Sequence, residues 1–486
     1  MSFLESVRDR FRRFRYRKLE SVFSPEISEA LKRNLNSDTF PDLTQGELER
    51  MRTKWGRFLN HVASLDGVEC SGGNKLEILE AGTETVSAMI AAIDRATTRV
   101  WLETYIFDDS DAVGRPVTDA LLRAKSRGCD VVVIMDYIGS SQYGFHTQLE
   151  EAKIPVVLFN PFPWSHFLDA KVPKSVGPIP FRDHRKILIA DSNAFCGSMN
   201  VQGETVPAPG DKYPGFYDIT ARIEGPAVGH LANVFIDSLE ESKVGVHRNP
   251  IAPIPPATGG QVYIQVLQSN VRKQRRSIQR ALASQIKEAE SEVRVASSYF
   301  MPPGFLKRAL LSTTKTPGVE SHILVSGTTD FFPVPGDLLA QTHALSRFVN
   351  RNRTTVSLYS QSHMHAKFTS VDNLFVQLGS YNFDRFSSRR NLEAAIGVFD
   401  HAVASRISHI HKRLEAESNI ATDDGVYFRN PVARFICWVA YTVMKTSGRN
   451  VFDGFDAYTL RRNLVEKMEY TLEYGRADVI ACSLKL

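Results

Sequence analysis

The chain has 486 residues, of which 43% are hydrophobic and 23% are charged, and its formal net charge is +5. These values indicate a folded protein too long for one simple core, and the modest positive charge does not by itself identify a phosphate-bearing partner. The five cysteines are scattered without a C-x-x-C pair, which argues against a disulfide framework or a zinc site and favours a reducing compartment.

The N-terminal region, residues 1–66, is predicted to be helical and charged. Within Met1–Phe23, apolar residues recur at helical spacing among seven basic residues, namely Arg8, Arg10, Arg12, Arg13, Arg15, Arg17 and Lys18. This pattern is typical of a helix lying on an anionic membrane. It also fits a solvated helix that packs its apolar stripe on the protein body, or, less well because of Glu5 and Asp9, a mitochondrial transit peptide.

Residues 67–245 alternate between strand and helix patterns, which predicts an α/β lobe. The predicted strands are Lys75–Ala81, Val100–Phe107, Asp130–Met135 and Ile154–Phe159, and the predicted helices are Glu84–Ala96 and Pro116–Ser126. Residues 130–135 are almost wholly apolar, as expected of a buried parallel strand.

The same order of elements begins again after residues 246–261, a Pro- and Gly-rich linker. In residues 262–418 the predicted strands are Val262–Leu267, Glu292–Phe300 and Glu320–Val325, and the predicted helices are Ser277–Ala289 and Gly304–Leu311. This repetition predicts an internal duplication: two pseudo-symmetric α/β lobes, each a mixed sheet flanked by helices, that form one shared active site. Residues 419–486 depart from the repeat and are assigned to a C-terminal extension. Its apolar run Phe435–Met444 is about half of the ~20 residues that span a bilayer, and it fits either a buried helix or one at a membrane surface.

Each predicted lobe carries the pattern H-x-K-x-x-x-x-D, in His184–Asp191 (HRKILIAD) and in His365–Asp372 (HAKFTSVD). Residues i and i+2 of a strand share a face, so His184 and Lys186 are expected to point together, as are His365 and Lys367. A G-S-x-N segment follows each pattern and adds the candidate substrate ligands Ser198, Asn200, Ser380 and Asn382. Two imidazoles, two ammonium groups and several neutral hydrogen-bonding groups suit an anionic phosphoryl group.

Two histidines in one pocket can divide the chemistry of phosphoryl transfer. One would attack phosphorus and become a phosphohistidine, while the other protonates the leaving oxygen and then deprotonates the acceptor. The lysines supply positive charge, so neither a metal nor another cofactor is expected. A carboxylate on the second ring nitrogen would fix the tautomer, and Asp218 and Glu393 are predicted to do so, each in its own half. Asp191 and Asp372 complete the two catalytic motifs, but they are expected to hold the loop after each strand.

At these residues the sequence resembles the phospholipase D superfamily, whose signature is two such HKD motifs. The resemblance extends over about Lys75–His411 and is to the bacterial-type cardiolipin synthases, in the stretches Leu102–Phe107 (LETYIF), Asp136–Ser140 (DYIGS), Arg222–Val228 (RIEGPAV), Ser297–Pro303 (SSYFMPP) and Gly379–Ile396 (GSYNFDRFSSRRNLEAAI). It implies transfer of a phosphatidyl group from one phosphatidylglycerol to a second through a phosphatidyl-histidine, with release of glycerol. It also implies His184 as the nucleophile and His365 as the acid/base, an assignment that the near-symmetry of the motifs leaves open. Relatives often show GG-x-N where this chain has GSMN.

Three alternative functions stay open at this point: a hydrolase that yields phosphatidic acid, a phosphodiesterase or nuclease, and an inactive scaffold that binds anionic lipid. Nucleic acid is not expected as a partner, because much of the positive charge lies in the first 18 residues, away from the motifs. The aromatic segments Asn160–Phe167 and Phe331–Val334 fit either contact with a bilayer or burial in the core. We expect peripheral association with a bacterial plasma membrane or a mitochondrial inner membrane. The acceptor and the oligomeric state are left open.

Overall fold

A computed structural model of the chain describes residues 23–140, 146–168, 172–207, 215–329, 336–422 and 429–447. Residues 25–448 belong to one compact unit. Residues 1–22, which make up nearly all of the predicted membrane helix, and the aromatic segment Phe331–Val334 lie outside the described residues. Within the described ranges, every helix is too short or too polar to cross a bilayer.

The described residues contain sixteen strands. They are β1 (Glu69–Glu80), β2 (Arg99–Thr104), β3 (Asp130–Asp136), β4 (Val156–Phe159), β5 (Ile187–Ala190), β6 (Asn193–Gly197), β7 (Ile219–Glu224), β8 (Val262–Asn270), β9 (Arg275–Arg276), β10 (Glu292–Ser297), β11 (Glu320–Ser326), β12 (Thr354–Tyr359), β13 (Phe368–Val371), β14 (Phe375–Gly379), β15 (Glu393–Phe399) and β16 (Asn419–Ile420).

Fourteen α-helices accompany them in the described ranges. They are α1 (Pro25–Asn34), α2 (Gln45–Ala63), α3 (Gly82–Arg95), α4 (Gly114–Ser126), α5 (Tyr137–Ser140), α6 (His146–Glu151), α7 (Ser165–Leu168), α8 (Ala227–Ser242), α9 (Ser277–Glu288), α10 (Gly304–Thr313), α11 (Gly336–Leu345), α12 (Arg385–Arg389), α13 (His401–Ala416) and α14 (Pro431–Ser447).

The strands form one continuous mixed sheet. From its centre outward, the equivalent strands of the two halves follow one another in the same order. From the centre outward, the first half runs β1, β7, β6, β5, β2, β3, β4, and the second half runs β8, β15, β14, β13, β10, β11, β12. The central strands β1 and β8 are antiparallel, whereas the three outer strands of each half are parallel to one another. The predicted α/β fold of two pseudo-symmetric lobes is therefore confirmed. Among the described residues, the second half alone continues with an extra edge strand, β16, which pairs with β12.

The local sequence explains this layering. Strand β3 (DVVVIMD) has a parallel neighbour on each side and is buried along nearly its whole length, as its apolar run predicts. Helix α2 begins with a capping box in which Thr44 and Glu47 satisfy each other's backbone amides. It places the buried Trp55 against Phe375 and Phe399 of the second half.

The two halves also contact each other away from the central pair β1 and β8, because β14 and β15 contact β6, and β14 contacts β7. One apolar core runs through both halves, with the stacked rings of Trp101 and Phe235 near its first-half end. Residues 246–261 contain no helix or strand, and Arg248 of this linker pairs with Asp130 of the first half (2.6 Å). The linker therefore lies against the body of the protein.

Two large side chains of the aromatic segment Asn160–Phe167 are exposed, whereas Asn160 and Ser165 are buried. Trp164 is 51% exposed and Phe167 is 80% exposed, and Phe162 stacks on Trp164 with ring centroids 5.1 Å apart. Of the two expectations for this segment, burial in the core is therefore wrong for these two side chains.

Candidate active site

Backbone pairing between the halves builds the first half-site. The amide of His184 donates to the carbonyl of Leu392 (3.0 Å), and the amide of Leu392 donates to the carbonyl of Arg182 (2.9 Å). Leu392 immediately precedes Glu393, the first residue of β15. This pairing sets the Nδ1 atom of His184 at 3.1 and 3.0 Å from the two carboxylate oxygens of Glu393.

The second half-site repeats this arrangement with the halves exchanged. The amide of His365 donates to the carbonyl of Tyr217 (2.8 Å), and the amide of Tyr217 donates to the carbonyl of His363 (2.9 Å). Tyr217 immediately precedes Asp218, which leads into β7. The Nδ1 atom of His365 consequently lies 2.8 Å from Oδ1 of Asp218.

The two histidine–carboxylate pairs are thus crossed between the halves, which corrects the expectation that each carboxylate serves its own half. Asp218 and Glu393 lead into β7 and β15, next to the central strands, and their neighbours bridge to the opposite HKD segment. A carboxylate at the start of β7 or β15 therefore contacts the imidazole of the opposite half, across the boundary between the two halves. Sequence order along one half contains no information about this crossing.

Electrostatics favours neutral imidazoles beside charged carboxylates at neutral pH. Burial lowers the pKa of His365 to about 4, against the opposing effect of Asp218. Burial raises the pKa of Asp218, but His365 and Lys367 outweigh it and lower that pKa to about 2. The pKa values of His184 and Glu393 are lowered in the same pattern. Each Nδ1–H therefore donates to its carboxylate, and Nε2 is the basic nitrogen.

The two lysines place positive charge around both histidines. Lys186 donates from Nζ to the carbonyl of His184 (2.8 Å) and lies 5.4 Å from the ring centroid of Tyr105, and Lys367 donates to the carbonyl of His365. Burial lowers the pKa of Lys186 to about 8 despite nearby carboxylates. The charge of Lys367 also lowers the pKa of His184, in the other half. The two half-sites consequently act on one another through a shared electrostatic field.

The histidines and lysines precede their strands rather than lie within them, since β5 begins at Ile187 and β13 at Phe368. The prediction of one strand through each HKD motif is therefore wrong for the first residues of the motif, because the observed strands begin only after the lysines. The extended segment before the strand leaves these residues able to pair with the opposite half. This is where His184 meets Leu392.

The serines of the G-S-x-N segments contact the carboxylates instead of an open pocket. Ser380 donates to Glu393, and the hydroxyl of Ser198 bonds to the backbone of Ile219 (3.1 Å) and contributes to lowering the pKa of Asp218. Both serines are fully buried. This placement makes the two serines supports of the carboxylates, and their direct binding of substrate remains a proposal.

The asparagines Asn200 and Asn382 are also buried, at the ends of the same segments. Asn200 donates to Oε1 of Gln202 (2.9 Å), and its Oδ1 accepts from the amide of Ile106 (3.4 Å). The Oδ1 atom of Asn382 makes no hydrogen bond within the described part of the chain. Substrate binding by the two asparagines remains a proposal.

Asp191 and Asp372 lie at the far ends of their strands and hold loops. Asp191 accepts from the amides of residues 97–99, and Asp372 accepts from the amides of residues 290–292. Both have positive φ angles, near 50°. These contacts match the expected loop-holding role, and neither carboxylate contacts the histidine pairs.

A buried cluster beside His184 was not predicted from the sequence. Glu103, in the stretch LETYIF, is fully buried beside Asp183, and burial together with the charge of Asp183 raises the pKa of Glu103. The fully buried Arg185 donates to the carbonyl of Val234 (3.0 Å) and to Ser238 (2.6 Å). A single charged residue, Glu103, inside the largely apolar stretch VWLETYIF was the available signal for this cluster.

Comparisons with known proteins identify the family of the chain. The family model described as "Cardiolipin synthase, PLD-like domain" matches residues 89–208 and 282–414. The probable cardiolipin synthase YwiE of Bacillus subtilis is 25% identical over 415 residues, which cover 84% of this chain and 78% of that protein. Cardiolipin synthase B of Escherichia coli K12 is 26% identical over 342 residues, which cover 68% of this chain and 77% of that protein.

A solved structure shares the fold. The phosphatidylserine synthase of Haemophilus influenzae superposes with a TM-score of 0.60 at 13% sequence identity, covering 81% of this chain and 96% of that one. The two matched segments of the family model together span more than half of the chain and contain both HKD motifs. The chain therefore belongs to the phospholipase D-like family of the cardiolipin synthases and is a phosphatidyltransferase of that type.

Proposed function

We propose that the protein makes cardiolipin by moving a phosphatidyl group from one phosphatidylglycerol to a second, through a phosphohistidine, with release of glycerol. The observation that carries this proposal is the crossed pairing of two buried histidines with two buried carboxylates. An in-line, two-step displacement at phosphorus requires one imidazole that is neutral and attacks, and a second imidazole that can give and take a proton, beside positive charge such as that of the two lysines.

In the first step, Nε2 of His184 attacks the phosphorus of the donor lipid and a P–N bond forms. The P–O bond to glycerol breaks as His365, in its protonated form, gives its proton to the leaving oxygen. The negative charge of the bound phosphodiester favours this protonated form. Lys186 and Lys367 stabilise the charge on the non-bridging oxygens.

In the second step, the terminal hydroxyl of the acceptor phosphatidylglycerol gives its proton to His365 and attacks phosphorus. The P–N bond to His184 breaks, and cardiolipin is released. The carboxylates Glu393 and Asp218 hold the tautomers in both steps by accepting from Nδ1–H. Water in place of the lipid hydroxyl would give phosphatidic acid.

Two features support a lipid rather than a nucleic acid as substrate. Trp164 and Phe167 present large apolar surfaces to solvent. Much of the net charge of +5 lies in the first 18 residues rather than around the histidines. A peripheral position on an anionic membrane fits such an enzyme, with either a bacterial plasma membrane or a mitochondrial inner membrane as its site.

The test is a product analysis with the purified full-length protein and phosphatidylglycerol vesicles. We expect cardiolipin and glycerol in equal amounts, and we expect neither His184→Ala nor His365→Ala to turn over while both still bind vesicles. Phosphatidic acid as the main product would instead identify a hydrolase. Cleavage of single-stranded DNA without any lipid product would overturn the lipid assignment.

A further inference from the structure

Helix α14 (Pro431–Ser447) is apolar on two opposite faces. Its inner stripe, formed by Cys437, Ala440, Tyr441 and Met444, packs on the protein, and Cys437 is only 4% exposed. Its outer stripe is exposed and consists of Val432, Phe435, Ile436, Trp438, Val439 and Val443. An apolar face of a helix is normally covered, so the exposed outer stripe is a candidate docking surface.

The outer stripe is large and aromatic. Phe435 is 62% exposed, Trp438 is 48% exposed and Val443 is 58% exposed. The rings of Phe435 and Trp438 lie 5.8 Å apart. Contiguous apolar surface of this kind marks an interaction site more often than isolated exposed residues do.

A cluster of cations borders this helix. Burial, together with the nearby charges of Arg347, Lys445, Arg308 and Arg385, lowers the pKa of Lys307. Arg385 donates to the backbone carbonyl of Lys445 (3.4 Å), which joins α12 to α14. Helices α10, α12 and α14 contain no Asp or Glu, so these helices contribute only positively charged side chains to this border.

The helix is connected to the active-site end of β10. Its inner stripe packs on Met301, whose amide donates to the carbonyl of Phe383 (2.8 Å), the residue after Asn382. It also packs on α11, where Gln341 accepts from the amide of Phe300 (3.0 Å). Whatever binds the outer stripe is therefore held close to the G-S-x-N segment of the second half.

We propose that the outer stripe of α14 and its cationic border form a docking surface for an anionic phospholipid bilayer. Apolar side chains would enter the acyl boundary while Lys307, Arg347 and Lys445 contact lipid phosphates, as in helices that lie in the membrane interface. The functional importance of the closeness of α14 to the active site rests on the proposed lipid reaction. The evidence from the outer stripe and from the cationic border does not depend on that reaction.

Vesicle sedimentation tests this surface independently of turnover. The full-length chain carries His184→Ala so that lipid composition stays fixed, and it is mixed with vesicles of phosphatidylcholine alone or with phosphatidylglycerol added. The apolar variant combines Phe435→Ser, Trp438→Ser and Val443→Ser. We expect it to lower partitioning into phosphatidylglycerol vesicles at least tenfold, the effect of losing about one fully buried large side chain.

The charge variant combines Arg347→Gln with Lys445→Gln. We expect a loss of about fivefold for each cation, which corresponds to about 1 kcal/mol each near an anionic surface. This loss should appear only on vesicles that contain phosphatidylglycerol and should shrink in high salt. The charge variant leaves the apolar packing intact, so it tests the proposal even if the apolar variant folds poorly.

The matched control is Ile420→Ser, an equally exposed apolar residue (64%) on the edge strand β16. Unchanged partitioning of both variants would overturn the proposal, as would an equal loss in the control. A changed oligomeric state with unchanged vesicle binding would assign the stripe to a second copy. A lowered thermal midpoint with unchanged vesicle binding would assign it to residues 1–22 or 448–486 of this chain. Wild-type protein that binds vesicles but makes no cardiolipin would contradict the proposed reaction and leave the docking surface in place.

Discussion

The crossed histidine–carboxylate pairs predict that each half depends on a carboxylate from the other. If His184 carries the covalent intermediate, Glu393→Gln should impair formation of that intermediate, although residue 393 lies 209 positions away. Asp218→Asn should instead impair the acid/base steps that use His365. Pairing within each half would predict the reverse.

The magnitude follows from the hydrogen bonds. Glu393 accepts from Nδ1 of His184 with both oxygens near 3.0 Å, and a hydrogen bond to a charged group contributes about 1.5–3 kcal/mol. At about 1.4 kcal/mol per tenfold change in rate, its loss should slow formation of the intermediate by about 10- to 150-fold. The bond from His365 to Asp218, at 2.8 Å, implies a similar loss for the other pair.

Burst kinetics with a phosphatidyl p-nitrophenyl ester separates the two steps, because this leaving group departs without a proton. We expect Asp218→Asn to keep a nearly full burst of p-nitrophenolate and to show slow turnover afterwards. We expect Glu393→Gln to lose the fast burst. Mass spectrometry of the quenched protein identifies the labelled histidine, so the experiment does not depend on which one attacks.

The matched control is Glu224→Gln, which removes a partly exposed carboxylate from the opposite end of the strand that Asp218 precedes. Both kinetic phases should stay within about twofold of wild type, as expected of surface changes. A label on His184 together with a burst that survives in Glu393→Gln and disappears in Asp218→Asn would refute the crossed assignment.

Three further outcomes follow from the structure. Because the pKa of Lys186 is about 8, its ammonium loses its proton above that pH, so kcat/KM should fall about tenfold per pH unit beyond it; an alkaline limit near pH 10 in a pH–rate profile would contradict this. Asp372→Asn removes the negative charge of a carboxylate to which three backbone amides donate. Denaturant unfolding should therefore show a free energy of unfolding about 1–3 kcal/mol lower, with kcat unchanged. A loss of kcat without a loss of stability would indicate a chemical role for Asp372. Arg185→Met removes the buried cation whose charge lowers the pKa values of Asp183 and Glu103, so it should destabilise the protein by about 3–5 kcal/mol in the same assay, and a stability loss below 1 kcal/mol would show that the cluster tolerates an apolar substitute.

The fold could be predicted from the sequence because its signals are local. Apolar runs such as that of β3 end at turn residues, and their order repeats after residue 262, so periodicity locates seven of the sixteen described strands and four of the fourteen described helices, most of their bounds within a few residues. The duplicated motif could also be predicted, since His184 and His365 have identical spacing to their lysines and aspartates. Pairing of β1 with β8 at the centre of the sheet has no comparable sequence signal.

Residue types and their spacing predicted which residues belong to the site, but they did not predict which of these residues contact one another. Whether Asp218 faces His184 or His365 depends on how the two halves pack, and both assignments give the same sequence. The burial of Ser198 and Ser380 likewise depends on the neighbouring strands β7 and β15, whose backbone they bond. The outer stripe of α14 was ambiguous because its spacing fits a buried helix equally well.

The exchange of carboxylates between the halves has a consequence for how this chain can evolve. In the proposed mechanism, the imidazole of each half needs a carboxylate that the other half encodes, so the two duplicated segments cannot replace one another. A substitution of the carboxylate in one half changes the histidine of the other half first. We therefore expect the two halves to change together during evolution. Splitting the chain in residues 246–261 would give two fragments that are inert alone and competent only when they reunite.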